Sequence, residues 1–133
     1  MENWDRPEYK SWRPKWGALM GWILNQQHFH EKRDPWVCPG GTTFYFINEG
    51  PERAFGLARE SASNLDIRIA GGANVIQQYL NMSVIDELEI ALAPVLFCGG
   101  RRLFENLSEP GQQFRIDNIV DSQSATHLRY LRQ

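Results

Sequence analysis

The sequence predicts an α/β layer fold that ends in an antiparallel hairpin. Strand-like and helical segments alternate along most of the chain, in the order β, β, α, β, α, β. Residues 66–72 have the pattern of a strand that runs into two glycines before a helix begins. Residues 114–132 contain two strand-like runs joined by a short polar turn. At 133 residues the chain has the length of one domain, so we expect a single domain over residues 1–133.

Composition and charge exclude several classes of protein. A chain that is 42% hydrophobic and 23% charged is typical of globular domains rather than of disordered ones. A net charge of -2 gives no basic surface for nucleic acid, and no apolar run reaches the roughly 18–20 residues that cross a bilayer. Cys38 and Cys98 lack the spacing of a zinc site or a disulfide framework, and the polar N-terminus is no signal peptide. We therefore expect a cytoplasmic protein without nucleic-acid or membrane partners.

The first fifty residues predict two strands after an irregular start. Residues 1–20 combine two prolines with three tryptophans, which favours an irregular segment. The tryptophans could stack on a ring-shaped ligand, but burial in a core is their commoner fate. Residues 22–26 have the pattern of a short strand. After the turn signal Pro39-Gly40-Gly41, aromatic and β-branched residues at 42–47 favour a second strand.

Two helices are predicted in the middle of the chain, with a short strand between them. Pro51 lies near a helix start, and apolar residues follow at helical spacing, which predicts a helix over 51–63. Residues 66–70 have the pattern of a short strand. Apolar residues from Val75 to Leu80 then repeat on one face and predict the second helix.

The C-terminal third is predicted to be β structure. Residues 84–97 have the pattern of a longer strand, because apolar and other residues alternate from Glu87 to Leu92. A loop or helical turn follows Gly99-Gly100. The runs at 114–120 and 125–132 predict the closing hairpin.

Gly71-Gly72 is the strongest functional signal among these segments. A helix that begins after two glycines presents unpaired N–H groups and a partial positive charge, and glycine lets an anion approach the backbone. Such a start suits the pyrophosphate of a cofactor. The motif alone is equally consistent with a simple tight turn.

Other polar groups give weaker signals. Gly99-Gly100-Arg101-Arg102 could place a guanidinium beside a phosphate, although by itself a solvated basic turn is the simpler interpretation. His28 and His30 lack a third metal ligand, so solvated loop histidines are favoured over a metal site. No catalytic residue can be nominated, because no acidic or nucleophilic group has an evident partner.

Three motifs follow one another in order between residues 66 and 107. They are a GG(A/G)xxIxxxL helix, a VDEL strand and a PVxxGGGxxLF turn, which occur here as GGANVIQQYL, IDEL and PVLFCGGRRLF. Together they resemble the dihydrofolate-reductase-like family, and in particular the reductase domain of the riboflavin-biosynthesis deaminase/reductase. The resemblance covers roughly residues 20–132.

The resemblance implies a three-layer αβα fold whose mixed sheet is mostly parallel. It implies an NADPH-dependent reductase that transfers hydride to a small heterocyclic or phosphoribosyl-type substrate, and a homodimer, with strand exchange as one form. Residues that the resemblance places at the cofactor fall in three groups: Gly71, Gly72, Ala73, Asn74 and Val75 at the pyrophosphate; Asn25 and Gln26 near the adenosine half; and Gly99, Gly100 and Arg101 near the cofactor or a substrate phosphate. In dihydrofolate reductases the matching Gly-Gly bond is a cis peptide.

The sequence also departs from the family pattern. The usual first strand, of the type LIVSVSLDG, and the GRxTxE helix that follows it are absent, and Cys98 stands where many members have glycine. The domain is therefore expected to be incomplete at its N-terminus. One alternative is a catalytically inactive dimeric remnant of the fold. Another is a fragment, which an upstream reading frame encoding the first strand would reveal.

Overall fold

The computed structural model describes residues 33–39, 42–108 and 113–133, together with the backbone of residues 16–20. The chain forms two compact units, Met1–Gly71 and Gly72–Gln133. Each unit is described by itself, and the single domain expected from the chain length stays a prediction.

The described part of unit 1 contains a parallel strand pair, a short antiparallel pair and one helix. Its elements are β1 (Trp16–Met20), β2 (Trp36–Val37), β3 (Thr43–Phe44), α1 (Pro51–Ala62) and β4 (Asp66–Ile69). Strands β1 and β4 pair in parallel, with Ala18 opposite Ile67 and Met20 opposite Ile69. Helix α1 contacts both strands and provides the crossover that parallel neighbours require.

Strand β1 corrects the expectation of an irregular segment over residues 1–20. Its partner β4 lies almost fifty residues further along the chain, so local composition carries no sign of the pairing. The rest of that segment, residues 1–15, and the strand predicted at 22–26 lie outside the described residues.

The strand predicted over residues 42–47 is shorter than expected. Thr43–Phe44 pairs antiparallel with Trp36–Val37, and the rings of Trp36 and Phe44 stack with their centroids 5.5 Å apart. The Cys38 N–H donates to the Thr42 carbonyl at 2.8 Å and closes the connection. The pairing extends no further because β2 offers only two residues as partners.

Helix α1 agrees with the prediction to within one residue. Pro51 occupies the first turn, where its missing N–H costs nothing. The helix ends at Ala62, which is buried, and Ser63 then takes a positive φ of 57° while its N–H donates to the Arg59 carbonyl. Local sequence signals are sufficient for this element, because they coincide with its observed ends.

The described part of unit 2 contains one helix and a three-stranded antiparallel sheet. Its elements are α2 (Ala73–Asn81), β5 (Glu87–Leu92), β6 (Phe114–Asp121) and β7 (Thr126–Arg132), with the sheet order β5-β7-β6. The predicted C-terminal hairpin is confirmed, and Ser122 closes its turn through hydrogen bonds with Ala125. Strand β5 is shorter than the predicted 84–97, because Leu92 faces Thr126, the first residue of its partner β7.

A β-bulge in β6 keeps the apolar residues of this sheet on one face. Ile116 lies opposite Tyr130 and Ile119 opposite Leu128, although Ile116 and Ile119 are three residues apart. The extra residue at Asp117 absorbs this odd spacing, which in a regular strand would send the two isoleucines to opposite faces. Strand β5 completes the face with Leu88, Ile90 and Leu92.

The opposite face of the sheet carries an ion-pair cluster. Arg129 donates to both carboxylate oxygens of Glu87, with Nε–Oε1 and Nη2–Oε2 distances of 2.6 Å, and its Nη1 lies 3.3 Å from Asp117 Oδ2. The hydrogen bond to Glu87 is the main cause that raises the pKa of Arg129 above its ordinary value, and partial burial opposes it. The cluster therefore ties all three strands together.

The α/β class and the C-terminal antiparallel hairpin are confirmed. Among the described strands, the one parallel pair is β1–β4 and the other pairings are antiparallel, so the parallel part is smaller than expected. The reason is that one described crossover, through α1, joins strands of the same sheet. Over the same residues, no helix combines the length and apolar character that crossing a membrane requires.

Candidate functional site

The candidate site begins at the glycine pair that precedes helix α2. Gly71 and Gly72 take positive φ values of 104° and 75°, a region that residues with a Cβ rarely adopt, and their peptide bond is trans rather than cis. Gly72 is the N-cap, and its carbonyl accepts the first helical hydrogen bond from the Ile76 N–H at 3.0 Å. Helix geometry therefore leaves the N–H groups of residues 73–75 without acceptors inside the helix.

Helix α2 itself contributes no acidic side chain to this helix start. The first turn of α2 contains no Asp or Glu, and no side chain caps it. Helix α1 differs, because Glu52 lies in its first turn. The side-chain carbonyl of Asn74 accepts a hydrogen bond from Gln78, which leaves Asn74 Nδ2 as its donor group. The start of α2 thus presents donors and the positive end of the helix dipole.

The loop after β5 brings two arginines to this helix start. A cleft of about 190 Å³ is lined by residues from the first half of α2 and from the loop, namely Ala73, Asn74, Gln77, Arg101, Arg102, Glu105 and Asn106. Two arginines and one glutamate are among the lining residues, so the residues around the cleft sum to a formal charge of about +1 at neutral pH. The combination suits an anion that carries several oxygens.

Side-chain amides fasten the loop to the helix. Gln77 is 6% exposed, and its Nε2 donates to the carbonyls of Arg102 at 2.8 Å and Leu103 at 3.1 Å. Asn106 Nδ2 in turn donates to Gln77 Oε1 at 3.4 Å. One turn further along, Asn81 donates to the Asn106 carbonyl and accepts from the Ser108 N–H. The loop is therefore held at two levels of α2.

The structure brings some of the predicted residues together and leaves others apart. Ala73, Asn74 and Arg101 line one cleft, and Gly72 caps its helix. Val75 lies in the same helical turn but does not line the cleft, and Gly99 and Gly100 precede Arg101 without lining it. Gly71 ends the other unit. Asn25 and Gln26, like His28 and His30, lie outside the described residues.

Sequence reasoning missed Gln77, Glu105 and Asn106. A signal for Gln77 does exist, because Ala73, Gln77 and Asn81 recur at every fourth position and so share a helix face beside the apolar stripe. Glu105 and Asn106 carry no such signal, since the loop conformation alone brings them to the cleft.

The comparisons with known proteins agree with these motifs. The family model of the RibD C-terminal domain matches residues 57–128, which is more than half of the chain. The chain belongs to the RibD C-terminal domain family. The expected relation to the reductases of riboflavin biosynthesis is thereby confirmed, and the match includes the helix α2, the strand β5 and the arginine loop.

Two relatives illustrate the extent of the likeness. Uncharacterized protein YwjB of Bacillus subtilis (strain 168) is 33% identical over 87 residues, which are 65% of this chain and 49% of YwjB. A pyrimidine reductase-like protein from Corynebacterium diphtheriae has a similar fold, with a TM-score of 0.55, 22% identity, and coverage of 65% of this chain and 36% of that one. The chain thus spans about half the length of its curated relative.

Proposed function

We propose that this chain is an NADPH-dependent reductase, or the cofactor-binding part of one, and that the cleft at the start of α2 holds the cofactor's pyrophosphate. The observation that carries the proposal is the meeting of Arg101 and Arg102 with the donor-rich start of α2 in one cleft. Membership of the RibD C-terminal domain family supports the same activity. A cytoplasmic location, which the free thiols Cys38 and Cys98 suit, belongs to the same proposal.

The residues of the cleft fit part of the cofactor in charge and size. Backbone N–H groups and planar guanidinium groups are the donors that phosphate oxygens accept most readily. The cleft's volume of about 190 Å³ is below the roughly 300–1,000 Å³ of complete ligand pockets. It therefore suits the pyrophosphate segment, and the nicotinamide and adenosine ends require other surfaces.

The division of labour follows from these groups. NADPH would supply the hydride, and we expect a small heterocyclic or phosphoribosyl-type substrate to accept it. Arg101 and Arg102 would neutralise the pyrophosphate, while the start of α2 orients it through fixed dipoles. Glu105 lowers the net positive charge of the cleft and so limits how tightly an anion is held. No described residue is assigned to proton transfer.

Calorimetric titration with NADPH tests the binding half of the proposal. We expect the Arg101→Gln and Arg102→Gln variants each to bind NADPH about tenfold more weakly, the effect of losing roughly one charge-assisted hydrogen bond. Arg53→Gln is the matched control, since it removes the same charge from an exposed position of helix α1. Absence of detectable binding by the wild-type chain at millimolar NADPH would remove the proposal.

Turnover separates a reductase from an inactive relative. A reductase is expected to oxidise NADPH in the presence of a pyrimidine or pteridine substrate, which the loss of NADPH absorbance reports. The competing proposal is a catalytically inactive dimeric remnant of the fold. NADPH binding without oxidation by any such substrate would favour that remnant.

We also propose that the chain acts as a homodimer. The proposal is supported by β6, an edge strand of its described sheet, on which Ile116 and Ile119 are each 55% exposed. An edge strand with exposed apolar side chains invites pairing with a second chain. Light scattering during size-exclusion chromatography tests it: Ile116→Lys should shift the mass from dimer to monomer, whereas a monomeric wild-type chain would contradict the proposal.

A further inference from the structure

The side-chain amide of Gln77 is buried and forms hydrogen bonds with the loop that carries the two arginines. Glutamine side chains are mostly exposed, whereas Gln77, in the middle of α2, is 6% exposed and uses its Nε2 for two backbone carbonyls of the arginine loop. The first of these carbonyls belongs to Arg102, which is one of the residues that line the cleft. The amide of Gln77 therefore holds the backbone of Arg102 directly, one residue away from Arg101.

The contacts of Gln77 are almost completely specified. An amide side chain offers two N–H donors and one carbonyl acceptor, and here the two carbonyls and Asn106 Nδ2 account for them. Asn106 takes a positive φ of 59°, a conformation that asparagine tolerates better than most residues. Because buried amides are costly to leave unpaired, this arrangement resists sliding of the loop along the helix.

We infer that Gln77 is a positioning residue, which holds the loop at residues 102–103 so that Arg101 and Arg102 stay beside the first turn of α2. Ala73 lies one turn before Gln77 on the same helix face, so the amide fixes the loop next to the N–H groups of that turn. Asn81 fixes the far end of the loop through its hydrogen bonds with Asn106 and Ser108. The consequence for cofactor binding rests on the proposed function.

Limited proteolysis tests the placement of the loop without any ligand. Trypsin cleaves after arginine, and both Arg101 and Arg102 are exposed. In Gln77→Met, which keeps the length and volume of the side chain but removes its hydrogen bonds, we expect cleavage after these arginines to be roughly fivefold faster. Arg129→Leu, which breaks the ion-pair cluster on the sheet, controls for general loss of stability. Cleavage no faster than in that control would overturn the inference.

Titration with NADPH then tests whether Gln77 acts through the arginines. Gln77→Met alone should weaken binding about tenfold, in the range expected for one charge-assisted contact. Added to Arg101→Gln/Arg102→Gln, it should cause no further loss, because the groups that it positions are already gone. Additive losses would mean that Gln77 supports the protein generally and would overturn its role as a positioning residue.

The two readouts separate the inference from the proposed function. If the wild-type chain binds no NADPH, the proposed function fails, and the trypsin result alone decides whether Gln77 holds the loop. If Gln77→Met does not fold, Gln77→Ala replaces it, because alanine favours the helix, removes the hydrogen bonds and leaves space for water at the loop carbonyls. For that variant too, accelerated cleavage supports the inference and unchanged cleavage contradicts it.

Discussion

The same chemical change at two glycines is expected to alter stability in opposite directions. At Gly71, φ is +104° and no heavy atom lies within 4 Å of an added Cβ. Alanine therefore makes no steric clash there, and backbone strain is the one source of destabilisation. Such strain destabilises the folded state by about 1–3 kcal/mol. Alanine also lowers the conformational entropy of the unfolded chain, which offsets about 0.5 kcal/mol of this. Gly71→Ala should therefore lower the free energy of unfolding by about 0.5–2.5 kcal/mol.

At Gly56 the balance is reversed. This residue lies inside helix α1, outside the left-handed region of φ, and an added Cβ again meets no atom within 4 Å. Alanine in a helix interior is more favourable than glycine by roughly 0.5–1 kcal/mol. Gly56→Ala should raise the free energy of unfolding by that amount.

Urea denaturation followed by far-UV circular dichroism measures both variants against the wild-type chain. The pair forms its own control, because the two substitutions add the same methyl group, and both residues belong to the unit Met1–Gly71. The reasoning is refuted if Gly71→Ala leaves stability unchanged or raises it. If Gly56→Ala lowered the free energy of unfolding, the assumption that Gly56 lies inside a regular helix with room for a methyl group would be wrong.

Three further predictions concern the second unit. Leu80→Ala should lower the free energy of unfolding by about 2–5 kcal/mol, because Leu80 is buried in α2 with 2% of its surface exposed. A decrease in Tm no larger than that caused by a substitution at an exposed residue would contradict this prediction. Arg129→Leu should lower the free energy of unfolding by about 1–2 kcal/mol, since the cluster with Glu87 is about one-third exposed. Because folding raises the pKa of Arg129, its contribution is fully present below the unfolded-state pKa and is lost only as the pH rises through the higher folded-state value. The difference in Tm between variant and wild type should therefore stay constant from about pH 7 to about pH 10. Glu105→Gln should tighten NADPH binding about two- to fivefold by removing the carboxylate from the cleft, whereas Glu60→Gln on the exposed side of α1 should not, and equal affinities in calorimetry would count against the cleft as the anion site.

Features that depend on neighbouring residues in the chain were predicted correctly from the sequence. The helix α1, the helix start after Gly72 and the C-terminal hairpin agree with their predicted positions, because proline, glycine and apolar periodicity act within a few residues. The family motifs around Gly71-Gly72 and the arginine loop were likewise sufficient to identify the family. In each case the determining contacts are local, or the residues occur in a fixed order.

Only the tertiary structure decided the features that depend on distant partners. Strand β1 forms by pairing with β4, β5 ends where β7 begins, and the bulge at Asp117 restores the apolar face across strands. The cleft joins α2 to a loop more than twenty residues away, and the amide of Gln77 fixes the distance between them. The glycines and arginines of this site could be identified in the sequence, but the proximity of the arginine loop to α2 could not. Hydrogen bonds between remote segments leave no periodic signal along the chain.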